Sequence, residues 1–172
     1  MALHLGITGH RSLDHEVEIR REVNLAIDEA LALRRKDIGP EKTIDLVAIS
    51  ALAEGADRLV VQECLRREGS TLMAVLPLPI AEYTKDFLTV DSRHEFTELL
   101  AAATSVRVAE SMQTRPQAYE RAGQLMVERS DIVIAVWDGL PSRGTGGTAD
   151  IVAYAHARHV PVLRVHTSPD QR

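Results

Sequence analysis

The sequence predicts an α/β protein, a Rossmann-like three-layer sandwich with a mostly parallel sheet. Two observations carry that reading. Short apolar runs alternate with amphipathic stretches along the whole chain, the pattern of strands joined by helical crossovers. The runs are also near-continuously apolar, as strands covered on both faces must be. Parallel strands connected this way take right-handed crossovers, which place helices on both sides of the sheet.

The elements follow in order. "LHLGIT" (3–8) is a short buried strand that runs into a glycine turn. A helix from about Asp14 to Arg35 sets Val23, Ile27, Ala30 and Leu31 on one face, with charges opposite. "IDLVAIS" (44–50) is the second strand and "ADRLVVQECLRRE" (56–68) the helix after it. "STLMAVLP" (70–77) is the third strand, and "SVRVAE" (105–110) a weaker fourth. A helix through Ala118, Ala122, Leu125 and Met126 leads to "DIVIAVWD" (131–138), the most strand-like run in the chain. The last helix starts near Thr148, and "VPVLRVH" (160–166) closes the sheet. The connection 78–104 is too long for a plain loop. It is expected to hold a helix over 92–103 and a mobile flap at "AEYTKDF" (81–87), with Tyr83 to Phe87 available for ligand contacts.

The 172 residues fit one domain, residues 1–166, with a polar tail at 167–172. A formal net charge of -5 argues against duplex DNA or an anionic membrane as partner, because both demand a basic face. The lone Cys64 excludes an internal disulfide and a cysteine-cluster zinc site, and reads as a small buried apolar residue. The seven histidines lack metal-ligand spacing, so neither a metal nor a cofactor is expected. No run approaches a membrane span and no signal peptide is evident, so the expected compartment is the cytoplasm.

In open parallel sheets, ligands sit beyond the carboxyl ends of the strands, where strand order reverses. Three segments follow strands there: "TGHR" (8–11), "SALAEGAD" (50–57) and "DGLPSRGTGGTAD" (138–150). In the third, Gly144, Gly146 and Gly147 let backbone approach a ligand, and Thr145 and Thr148 add hydroxyls. Thr148 opens a helix whose first amides lack intrahelical partners, a ready seat for an anion. A glycine-rich turn with a threonine cap is the alternative. Gly9 permits close approach and Arg11 can grip a phosphate bidentately, with a surface ion pair to Asp14 or Glu54 as its other role. His10 could be a base or a ligand contact. Ser50 ends a strand, while Glu54 and Asp57 could bind ribose hydroxyls, act as acids or cap a helix. Asp138 and Trp137 end the fifth strand beside them.

Together these segments resemble the LOG-like (SLOG) superfamily of Rossmann-like nucleotide-binding proteins, which includes the Lonely Guy phosphoribohydrolases and the DNA-processing protein A family. "TGHR" is similar to the glycine-serine-arginine turn of the DNA-processing family, which gives Gly9 and Arg11 a phosphate role. "SALAEGAD" resembles that family's SGxAxGID segment at Ser50, Ala53, Gly55 and Asp57. "GTGGTAD" is similar to the Lonely Guy PGGxGTxxE loop, best at Gly147 and Thr148. The run "GTADIVAYAHARHVPVL" also resembles nucleoside 2-deoxyribosyltransferases.

In the glycosyl-cleaving families a glutamate stands three residues after the GT threonine. Here Ile151 occupies that position and Asp150 precedes it, about 100° away around a helix. The family's catalytic carboxylate is therefore not carried over. Asp150, Asp57 and Glu54 are the candidate catalytic acids, with Arg11 and Asp138 completing an electrostatic clamp. The function expected first is binding of a phosphate-bearing, nucleotide-like small molecule as a sensor or regulatory module. An N-glycosidase acting on a nucleoside monophosphate comes second, and single-stranded DNA binding a distant third. Related folds often pair through helices, which makes a homodimer the expected assembly.

Overall fold

The computed structural model describes residues 1–39, 41–142 and 146–168. Gly144 and Thr145 thus lie outside the described residues. Among the described residues six strands form one sheet: β1 (Ala2–Gly9), β2 (Asp45–Ser50), β3 (Thr71–Leu76), β4 (Ser105–Val108), β5 (Ile132–Trp137) and β6 (Val162–His166). Their order is β4-β3-β2-β1-β5-β6 and every neighbouring pair is parallel. The α/β class expected from the sequence is the class found.

Helices α1 (Glu16–Ile38) and α2 (Ala56–Leu65) cover one face, where Leu5, Ile7, Val23, Ile27 and Val60 share a core with Leu72 and Ile134. Helices α5 (Arg115–Val127) and α6 (Thr148–Ala157) cover the other, packing Ala122, Met126 and Ile151 against Ile49, Val75 and Val133. Cys64 lies fully buried on the inner face of α2, and burial pushes its thiol up to about 12, so it is an inert core residue. The four residues of β4 are all exposed, as a sheet edge allows, and that weak apolar signal matches its faint reading in the sequence.

The chain runs outward from β1 through β2 and β3 to β4, then returns to lay β5 on the other side of β1. Strand order therefore reverses between β1 and β5. Gly9 pairs with Val136 at the carboxyl end of this junction. Divergent loops leave a crevice at such a point, and the fold positions the candidate site there.

One expectation is corrected. Residues 81–87, expected as a mobile flap, are instead built into regular structure. They form the short helix α3 (Ile80–Tyr83) and a 3-10 turn (Thr84–Asp86) ahead of α4 (Val90–Ala102). Tyr83 and Phe87 are fully buried and meet Phe96 and Tyr119 edge-on or tilted, with ring centroids 4.9 to 5.8 Å apart. The physical reason is scarcity. Four of the chain's six aromatic residues pool into one cluster, because such large apolar rings stabilise most when desolvated together.

Candidate functional site

The cleft at the β1–β5 junction has a volume of about 460 Å³, within the usual size range of small-molecule sites. Each of the three expected segments contributes to it. Gly9, His10 and Arg11 come from the end of β1, Ala51 and Ala53 from the β2–α2 loop and Asp57 from the first turn of α2, and Trp137, Asp138 and Gly146 to Thr148 from the end of β5 to the start of α6.

Gly9 has a steric role at the junction. A Cβ there would lie 2.5 Å from Ala56 Cβ and 2.6 Å from the Val136 carbonyl oxygen, so only glycine lets β1, β5 and α2 converge. The turn is then stapled on both sides. The His10 amide donates to Val136 O at 3.1 Å, and the Ala56 amide donates to His10 O at 2.9 Å. His10 Nε2 lies within hydrogen-bonding distance of Asp138, 3.2 Å from its amide nitrogen and 3.3 Å from Oδ1. The imidazole thus bridges the two strands that diverge. Burial acts against ionisation of Asp138, whose side chain is only 6% exposed. The Leu140 amide, at 2.9 Å, and His10 nevertheless hold its carboxyl below the ordinary value. Asp138 is a charged wall of the cleft that fixes its own loop.

Arg11 stands over the Tyr119 ring, its guanidinium carbon 4.7 Å from the centroid. Tyr119 belongs to the buried aromatic cluster, and its hydroxyl donates to Asp86, which also accepts from Arg115 Nη2 at 2.7 Å. Burial and that carboxylate push the Tyr119 hydroxyl up to about 12, so it stays a neutral donor. The segment 81–87 therefore acts from behind, bracing the platform on which Arg11 rests.

Ser50 and Asp57 form a buried pair. Ser50 Oγ donates to Asp57 Oδ2 at 2.7 Å and accepts from the Leu52 amide at 2.9 Å. Burial pushes the Asp57 carboxyl up to about 6, against the opposing hydrogen bonds from Ser50 and the Ala53 and Ala51 backbone and the nearby charge of Arg11. The loop between them is tightly wound. Leu52 is fully buried with φ 58, and Gly55 has φ 77 with its Cα hydrogen against the Arg11 carbonyl. Arg58, also buried, donates from Nε to Leu52 O at 3.1 Å and locks that turn.

The last segment ends at a helix start whose N-cap residue is a glycine. Gly147 is the N-cap of α6 with φ -74 and no side-chain cap, in contrast to the Thr114–Gln117 capping box of α5. Gly146 takes φ 81, and a Cβ there would press on Glu120 N and Pro116 O of α5. Gly146, Gly147, Thr148 and Ala149 line the cleft that Arg11 also lines.

The three candidate acids part company. Asp57 lines the cleft, whereas Glu54 and Asp150 do not. Ser92 Oγ of α4 donates to Glu54, and Asp150 Oδ2 accepts from the Gly146 amide at 3.0 Å. Ile151 is buried against Gly123 of α5, so an apolar side chain occupies the cleft wall one turn into α6.

Tyr119 and Arg115 line the cleft without having been singled out in the sequence. The signal was the "TRPQ" helix start after the fourth strand, at the same sheet edge, obscured because β4 itself is so faint. No protein-family model and no curated protein matches the chain.

Proposed function

We propose that the protein binds a phosphate-bearing nucleotide or nucleotide-derived small molecule at the carboxyl edge of its sheet, as a sensor or regulatory module. One observation carries the reading: an arginine and the glycine-opened N-terminus of α6, with Gly147, Thr148 and Ala149, line the same cleft at the strand-order reversal. Amides at a helix start carry partial positive charge, and an adjacent guanidinium adds a full one. The likeness to LOG-like nucleotide-binding proteins supports the same ligand class and is part of the proposal.

A second reading, an N-glycosidase acting on a nucleoside monophosphate, draws on Asp57. A cleft carboxyl raised to about 6 is suited to proton transfer near neutral pH. Binding ranks first because Asp150 and Glu54 are engaged elsewhere, which leaves Asp57 and Asp138 as the cleft carboxylates among the described residues.

Incubation with AMP, followed by chromatography for free base and by titration calorimetry, separates the readings. Saturable binding without base release is the expected result. Release of adenine would promote the enzyme. Absence of both would reject the two readings together, and salt-sensitive retention of oligonucleotides would favour single-stranded DNA instead.

A further inference from the structure

Trp137, the only tryptophan in the chain, is half-buried at the end of β5 and lines the cleft. Strand alternation sets it on the same side of the sheet as Val133, which packs in the layer under α5 and α6. Arg164 of β6 pairs in register with Ala135 and points to that side too, its guanidinium carbon 5.2 Å from the indole centroid. Strand β6 lies on the outer side of β5, and β1 on the inner side. The arginine therefore covers the outward face of the indole. The inward face is turned to the cleft, which Thr8 and Gly9 of β1 also line.

The ring is held in place without being packed away. Its Nε1 donates to Leu140 O at 2.9 Å, the Leu140 amide donates to Asp138 Oδ1 at 2.9 Å, and Arg164 Nη2 donates to Asp138 O at 2.7 Å. Gly139 takes φ 85 in this turn, where a Cβ would meet Arg164 Nη2 at 2.5 Å. The turn presents Leu140 and Pro141, both exposed and both lining the cleft, next to the indole. Apolar surface fixed in the open at the rim of a polar cleft is surface that a ligand can cover.

We infer that the inward face of Trp137, flanked by Leu140, is the platform on which the base of the proposed nucleotide stacks. The inference rests on the phosphate-binding reading above: Arg11 and the start of α6 take the phosphate, and the indole in the same cleft takes the ring. The indole N–H is already engaged by Leu140 O, so the contact is made through the ring face, which every base can match. Room for it lies at the open rim, where Leu140 is 50% exposed. The ligand class is therefore a phosphate ester that carries a flat aromatic ring, as against a bare sugar phosphate.

Because the chain has a single tryptophan, its fluorescence reports on this contact alone. The unmodified protein is titrated with AMP and with ribose 5-phosphate, by calorimetry and by tryptophan emission. AMP is expected to bind at least about fivefold more tightly than ribose 5-phosphate, the lower end of what a stacked base contributes, and to quench the emission in step with the heat. Ribose 5-phosphate should bind with little change in emission. Trp137→Leu should bring AMP down to the affinity of ribose 5-phosphate, and Trp137→Phe, which keeps a flat ring, should retain most of the preference. Equal affinities for the two ligands, or saturable AMP binding that leaves the emission unchanged, would overturn the platform while the phosphate reading stands. A folded Trp137→Leu that still prefers AMP would overturn it as well. Binding of neither ligand would overturn the phosphate reading and this inference with it. The two-ligand comparison needs no substitution, so a variant that fails to fold leaves the test intact.

Discussion

The Asp150 carboxylate closes back on the Gly146 amide, Oδ2 to N at 3.0 Å, while the Asp150 amide donates to Ser142 Oγ at 3.2 Å. One residue in the first turn of α6 thus holds both ends of the described part of the glycine-rich loop. A carboxylate at that place also suits the helix dipole. Its partner is the protein's own backbone, which accounts for its standing outside the cleft.

Removing that tie should loosen the loop without touching ligand. Asp150→Ala is expected to cost about 1 to 2 kcal/mol of stability, by urea denaturation, and to weaken AMP binding. Asp150→Asn keeps an acceptor for the Gly146 amide and should retain most of the affinity. If Asp150 were a catalytic acid, the asparagine variant would instead be as defective as alanine.

Arg11 gives the second prediction. Arg11→Ala should cost about 1.5 to 3 kcal/mol in AMP affinity, the usual value of a charge-assisted bond, while adenosine binding changes little. Tyr119→Leu removes the ring under the guanidinium and should reproduce part of that loss at a distance from the phosphate. Equal losses for AMP and adenosine in calorimetry would assign Arg11 to some other part of the ligand.

The fold was legible in the sequence because parallel strands buried on both faces announce themselves by composition. β1, β2, β3, β5 and β6 each lie within or around an expected run, and α6 begins at Thr148 as expected. The convergence of three post-strand segments was legible for the same reason, since topology alone carries them to one edge. What was not legible depends on side-chain partners across the chain. Nothing near Glu54 in sequence points to Ser92, 38 residues away, and nothing near Arg11 points to Tyr119. The segment "AEYTKDF" was expected as a flap offering ligand contacts, yet its Tyr83 and Phe87 are buried while the charges between them face outward or pair with Arg115. Local polarity averages over residues that point in opposite directions.

Gly55 should be among the least replaceable residues in the site. Its φ of 77 and ψ of -121 fall in a region essentially closed to side chains, and an added Cβ would sit 2.3 Å from the Arg11 carbonyl oxygen. That neighbour is backbone, so it yields only if the β1 turn moves. Gly55→Ala is expected to lose about 3 kcal/mol or more. The melting temperature reports the loss, and AMP affinity should fall with it because Arg11 is displaced. Retained stability would mean that the turn after β1 shifts freely.

Asp57 sets a pH dependence whose sign follows from its burial. The carboxyl titrates at about 6 in the folded chain against an ordinary 3.8, so the folded state holds a proton that the unfolded state has already released. The resulting stabilisation is complete below pH 4 and is lost as the pH rises through about 6, a change of about 3 kcal/mol. Asp57→Asn cannot titrate and lacks this step. Urea denaturation of both proteins from pH 4 to 7 should show the unmodified chain losing that increment relative to the variant, since other carboxyls cancel in the difference. A difference that stays flat with pH would mean that Asp57 ionises as it would in water, with its bonds to Ser50 and the loop amides fully offsetting burial. In that case the cleft would already hold this negative charge beside Arg11 between about pH 4 and 6, and its preference for anions would be weaker over that range.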